Sequence, residues 1–134
     1  MQLPAITAFY LGFLALLYTV LGLQVSRLRR GNRVLFGDGD NIKLRSAIRA
    51  HANFIEYVPI IALLVAMLEM SGMSATRVHV LMGALLVSRL LHPLGMYSKP
   101  RTWQFGVGRM AGILITFAVL AAAAVSALLR FWPM

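Results

Sequence analysis

The run IRAHANFIEYVPIIALLVAMLEMSGM, Ile48 to Met73, decides how the rest of the chain is read. A bilayer core about 30 Å thick needs about 20 helical residues at 1.5 Å each, and this run is long enough. It qualifies as a membrane span only if Glu56 and Glu69 are tolerated in or near lipid. Composition says that they must be. The chain has 134 residues, of which 60% are hydrophobic and 13% charged, with a mean hydropathy of +0.78. Soluble domains average about 45–50% apolar and about 25% charged residues. A chain this short of polar surface cannot cover itself in water, so lipid supplies the missing solvent. Soluble enzyme folds, secreted modules and disordered linkers are excluded on that ground.

Working outward, three further spans emerge. Leu3 to Ser26 and Met110 to Leu129 are free of charge, and Val78 to Tyr97 carries only Arg89. The separators have turn chemistry. Phe36-Gly37-Asp38-Gly39-Asp40-Asn41 breaks one helix and offers Asp40 or Asn41 as a cap for the next. Ser71-Gly72-Met73-Ser74 ends the second span, with Ser74 able to cap the third, and Ser98-Lys99-Pro100 stops the third. The expectation is one all-α domain over residues 1–134, an integral membrane four-helix bundle with helices at about 3–30, 42–71, 75–97 and 105–131. Nothing basic precedes the first apolar stretch, which is too long for the core of a signal peptide, so it reads as a retained span.

Charge sets orientation. Lysine and arginine number 13 against 4 acids, a formal +9. In a soluble chain that excess would suggest nucleic acid, but here the cations lie between apolar runs and read as topology signals facing anionic headgroups, with no nucleic-acid partner. Arg27, Arg29, Arg30, Arg33, Lys43, Arg45 and Arg49 flank the first connection, and Lys99, Arg101 and Arg109 the third. Only Arg77 and Arg130 flank the opposite side. Both basic segments are therefore expected in the cytoplasm and both termini outside it.

The polar residues converge on one end. Counting back from Ser71 at 1.5 Å per residue puts Glu56 about 7 Å inside the cytoplasmic boundary, and counting forward from Val78 puts Arg89 about 13 Å inside. An intramembrane charge costs about 2.5–3.5 kcal/mol on insertion scales and normally turns inward to a partner, so a Glu56–Arg89 contact is expected. Arg45, Arg49, Asn53 and Glu56 fall within about 80° on one face of the second helix. His51, about 240° round from Arg45, would face lipid or another subunit. An arginine-rich site with one carboxylate and one amide suits a small anionic ligand bearing carboxylates and an amine, with guanidiniums forking onto carboxylates. Intramembrane ion pairs as helix glue and arginines as interfacial anchors are the plainer alternative, and anchoring accounts for Arg27, Arg29, Arg30, Arg33 and Arg45 taken singly.

Other chemistries find little purchase. The chain has no cysteine, which excludes thiolate catalysis and cysteine-ligated metals. His79 lies near the outer side while His51 and His92 lie toward the inner, which does not favour bis-histidine haem. A calcium loop starting at Asp38 would need an acid where Arg49 stands. No metal site is expected.

The segment Arg49-Ala50-His51-Ala52-Asn53-Phe54-Ile55-Glu56-Tyr57-Val58-Pro59 resembles the signature of the MAPEG superfamily, the membrane-associated proteins of eicosanoid and glutathione metabolism. Arg29-Arg30-Gly31-Asn32-Arg33-Val34 resembles the basic exit of that family's first helix, and Arg89 with His92 its third-helix motif. The Gly-Asp-Gly loop and Ile-Arg-Ala-His run resemble the bacterial branch. The resemblance implies a left-handed bundle assembled as a homotrimer in the inner membrane, with glutathione as co-substrate held between subunits near the cytoplasmic face. It implies that Arg49, Asn53, Glu56 and Tyr57 bind the tripeptide with Arg89 behind them, and that His51 and Arg29 or Arg30 reach a ligand from the neighbouring subunit. Eicosanoid-making members have a tyrosine three residues after the third-helix arginine. This chain has His92 there and Tyr97 further on, so these two stand as offset candidates for ligand contact. The arginine that would stabilise the glutathione thiolate is Arg101 or Arg109. Arg109 is favoured, since it opens a charge-free helix with Gly112 and Thr116 on its face. The implied activity is a microsomal-type glutathione transferase or peroxidase acting on small lipophilic electrophiles or lipid hydroperoxides. The competing class is a non-catalytic membrane scaffold, or a binder of another small anion on the same fold.

Overall fold

In the computed structural model, which describes residues 3–98 and 102–133, four helices follow one another: α1 (Ala5–Asn32), α2 (Ile42–Met70), α3 (Ala75–Tyr97) and α4 (Trp103–Arg130). Each is long and apolar enough to cross a membrane. The protein is an all-α, multi-pass membrane bundle.

The helix ends follow from local chemistry. Asn41 caps α2 by accepting the Leu44 amide at 3.0 Å. Ser74 precedes α3 as expected, but its hydroxyl makes no capping bond. α1 stops at Arg33, a left-handed residue with φ 55°, and the Val34 amide reaches back to the Arg29 carbonyl at 3.0 Å. In the connection that follows, Arg45 pairs with Asp38 and lies 3.4 Å from Asp40. The Arg45 guanidinium, helped by the Asp40 amide, holds the Asp38 carboxyl below its ordinary value.

α2 and α3 each touch every other helix, whereas α1 and α4 do not meet among the described residues. The inner pair therefore forms the short diagonal of the bundle. Its core runs through Phe54, Val58, Ile61 and Val65 of α2 and Val78, Met82 and Leu85 of α3, closed by Leu14 and Leu21 from α1 and Val119 and Ala123 from α4.

Two devices fix the bundle's ends. The first concerns α1, whose leading residue Pro4 supplies no side-chain cap. Glu69, near the end of α2 and 5% exposed, does so from another helix. Its carboxylate accepts the Ile6 and Thr7 amides, both at 2.9 Å, and the Thr7 hydroxyl at 2.6 Å. An anion at a helix N-terminus satisfies orphan donors and opposes the helix dipole. Glu69 is thus the cap of α1. The second device is a glycine crossing. A Cβ on Gly95 of α3 would overlap the Arg109 backbone, one on Gly108 of α4 would lie 2.9 Å from Gly95 Cα, and one on Gly112 would lie 3.0 Å from His92 Cβ. Small residues let α3 and α4 approach backbone to backbone, which sets the geometry of the site end.

Candidate functional site

Arg89, on α3, is 1% exposed and lies at the centre of the polar end. One terminal nitrogen donates to the Asn53 side-chain oxygen at 2.8 Å and to the Asn53 carbonyl at 3.2 Å, both on α2. The other donates to the Thr116 hydroxyl on α4, and Nε donates to Ser88 at 3.3 Å. Thr116 in turn donates to Gly112 O at 2.7 Å, and Ser88 to Leu85 O at 2.7 Å. One guanidinium therefore ties three helices through neutral oxygens. A fork of five donors can do this, whereas a lysine ammonium is a single point.

The expected Glu56–Arg89 contact is not made. Glu56 pairs instead with Arg49 at 3.7 Å, and both side chains are well exposed, at 43% and 59%. Angle decides this, not depth. On α2, Arg49 and Glu56 lie about 20° apart, while Asn53 lies about 40° further round from Arg49, on the side that meets α3. The stripe read from the sequence is split. Its amide turns inward to Arg89 and its ion pair stays on the outer surface of a helix long and apolar enough to span a bilayer.

His51 is also placed differently from expectation. It does not face away from the chain: its ring stacks on Tyr18 of α1, with centroids 4.5 Å apart and planes at 16°. Gly22 leaves room for it, since a Cβ there would lie 3.5 Å from His51 Nε2. An imidazole paired with a phenol ring inside the α1–α2 seam is shielded without a second subunit. Tyr57 is half-buried and meets Phe117 of α4 edge-on at 5.5 Å. His92 is buried beside Gly112, within electrostatic reach of Arg89, Arg109 and Arg49. Tyr97 is exposed at the end of α3. Arg109 is exposed, with its backbone pressed against Gly95. Arg29 donates to Leu35 O at 3.3 Å, and Arg30 lines a cavity of about 470 Å³ on the exit of α1 with Arg27, Ser26 and Leu23. Arg101 lies outside the described residues.

Sequence reasoning missed Ser88 and the role of Thr116 as acceptor for Arg89. Thr116 follows Arg109 by two turns and was legible only as a small packing residue. Its function depends on where α4 crosses α3, which local sequence does not state.

The arrangement has two layers: a buried cationic knot at Arg89, and above it an open pair, Arg49 and Glu56, with Arg109 and His92 at the α3–α4 crossing. The exposed Arg49–Glu56 pair presents one positive and one negative group side by side. The model of the MAPEG family matches residues 7–129. The chain belongs to the MAPEG family. Among relatives, it is 36% identical over 115 residues to "Inner membrane protein YecN" of Escherichia coli strain K12, covering 86% of this chain and 84% of that protein. The protein of the same name from Escherichia coli O6:H1 strain CFT073 matches with the same identity and coverage. No solved structure matches the chain. Within the MAPEG signature segment, then, Arg49, Asn53 and Glu56 divide into a surface pair and a buried tether, both on α2.

Proposed function

We propose that this protein binds glutathione at the polar end of the bundle, as an inner-membrane glutathione transferase or peroxidase of homotrimeric assembly. The observation that carries the reading is the exposed Arg49–Glu56 pair on a spanning helix. A charged pair open to lipid is costly, and a ligand with two carboxylates and an ammonium gives both members a partner. Arg49 would fork onto a glutathione carboxylate and Glu56 would take the ammonium. Arg89 holds the Asn53 turn of α2 in place beneath them.

Membership of the MAPEG family and similarity to proteins named for the inner membrane support this setting. For chemistry, a free thiol of pKa about 8.5 becomes a useful nucleophile near pH 7 beside a guanidinium. Arg109 is the candidate, with Arg101 as the second. In the transferase reaction the thiolate sulfur bonds to an electrophilic carbon and the leaving group departs with its electron pair. In the peroxidase reaction the sulfur takes the distal peroxide oxygen, leaving an alcohol, and the thiol of a second glutathione attacks the resulting sulfenic sulfur, closing the disulfide and releasing the oxygen as water. A lipophilic acceptor would reach the site through the bilayer, and the thiol from the aqueous side.

Calorimetry of purified protein with glutathione and an S-alkyl analogue tests binding. Arg49→Ala and Glu56→Ala should each abolish the heat of binding. The exchange variant Arg49→Glu with Glu56→Arg retains an ion pair but places each charge where the ligand needs the other, so it should fold and fail to bind. Full affinity in the exchange variant removes the site. Turnover of a chlorodinitrobenzene-type electrophile that disappears in Arg109→Ala assigns an enzyme. Binding without turnover assigns a non-catalytic binder on the same fold.

A further inference from the structure

A second cationic cavity lies at the opposite end of the bundle, about 28 Å along α2 from Arg49. It encloses about 520 Å³, with Arg77 from α3 and Arg130 from α4 on its walls, Ser71 and Ser74 in the connecting turn, and Leu68 and Leu129 as an apolar side. Neither arginine is matched within the described residues. The chain's four acids are all engaged elsewhere. Asp38 and Asp40 face Arg45, Glu56 faces Arg49, and Glu69 caps α1. Arg130 is held in place by donating to the Ser71 carbonyl and, at 3.3 Å, to the Ser71 hydroxyl, which orients its guanidinium along the cavity wall. The Arg77 side chain has no described partner. The start of α3 borders the same space, and the Ser74 hydroxyl makes no capping bond, so first-turn amides with partial positive charge add to the field.

We propose that this cavity binds a phosphate group, as an anionic phospholipid headgroup or as free phosphate. Two guanidiniums from different helices can fork onto phosphate oxygens, the Ser74 hydroxyl can donate to a remaining one while Ser71, whose hydroxyl donates to Leu68 O at 2.8 Å, holds Arg130 in place, and Leu68 and Leu129 offer an apolar wall to whatever the phosphate carries. The site does not depend on the glutathione reading, being at the other end of the molecule.

Arg77→Gln is the decisive variant, because the Arg77 side chain makes no described bond, and its amide bond to Ser74 O does not depend on the side chain, so its loss leaves the fold intact. Native mass spectrometry of the full-length protein with phosphatidylglycerol or phosphatidylcholine measures the lipid arm. Thermal unfolding in detergent with inorganic phosphate, against chloride of equal ionic strength, measures the free-anion arm. The wild type should retain phosphatidylglycerol over phosphatidylcholine, gain thermal stability from phosphate, or both. Arg77→Gln should weaken the response about tenfold, the order expected for one charge-assisted contact. A response to lipid alone assigns the headgroup, and a response to phosphate assigns the free anion. In the wild type, hydrogen exchange of the 71–77 segment should slow on adding the active probe. An Arg77→Gln protein that responds like the wild type, or a wild type with no preference and no response, overturns the proposal.

Discussion

At the scale of single residues, Arg89 shows why the buried cation of this bundle is an arginine. It is almost fully buried, yet its partners are an amide, a backbone carbonyl and two hydroxyls, with no carboxylate among them. Removing an acceptor from a buried charge leaves a donor unsatisfied, at a cost of about 1.5–3 kcal/mol for a bond to a charged group. Asn53→Ala should therefore lower stability by about that amount, seen as a lower midpoint of thermal unfolding in detergent. Glu56 and Arg89 were legible in the sequence as charges that could share a level, and Asn53 as a neighbour of Glu56 on the same face of α2. Which partner each would take was not, because counting residues gives depth while partner choice turns on a few tens of degrees around α2. Glu69 is the second case. From sequence it was a charge to be tolerated, and its task, capping α1, depends on two helix ends meeting across 62 residues of chain. Glu69→Ala removes all three acceptor bonds and should cost about 0.5–2 kcal/mol, as for the loss of an N-cap. Faster hydrogen exchange at Ile6 and Thr7 is the local signature to measure, and unchanged exchange there would show that α1 is held by packing alone.

At the scale of elements, lengths and ends were written locally and crossings were not. The spans follow from apolar runs of sufficient length, and α2 begins where Asn41 offers its side chain. The contact order, with α2 and α3 touching all helices and α1 apart from α4, is fixed by complementary surfaces that no single helix displays. The α3–α4 crossing depends on Gly95 and Gly108, each lying where a Cβ would meet the other helix's backbone. Backbone cannot yield as a flexible side chain can, so overpacking here should cost about 1–3 kcal/mol or push the helices apart. Gly106, one turn from the crossing's centre, faces no atom within 4 Å. Gly106→Ala should accordingly leave stability unchanged or raise it by about 0.5–1 kcal/mol through helix propensity. The paired comparison of unfolding midpoints, Gly95→Ala down and Gly106→Ala level or up, separates packing from propensity. The same substitution at Gly95 displaces Arg109 and His92 relative to each other, so the glutathione binding proposed above should weaken with it even where the protein still folds.

At the scale of the whole molecule, the ring of helices leaves the outer faces of α1 and α4 apolar, with Phe13, Leu16, Val20, Leu114, Val125 and Leu128 exposed. The charges gather at the two ends in unequal numbers. The end carrying the 33–41 connection and Arg109 holds most of the +9 formal charge, and the end carrying Gly72 holds Arg77 and Arg130. Retention of basic segments on the cytoplasmic side sets the orientation of multi-pass chains. The 33–41 connection should therefore face the cytoplasm, and the turn at Gly72 the other side, with both termini beside it. Absence of cysteine makes the natural chain a ready background for testing this. Single cysteines at Gly37 and at Met73, positions flanking α1–α2 and α2–α3, can be labelled in intact cells with a membrane-impermeant maleimide. Met73→Cys should react from outside and Gly37→Cys only after the membrane is opened. The reverse pattern would place the Arg49–Glu56 surface on the side without a glutathione pool. Because glutathione is supplied from the cytoplasm, that outcome would overturn the glutathione reading proposed for Arg49, Glu56 and Arg109.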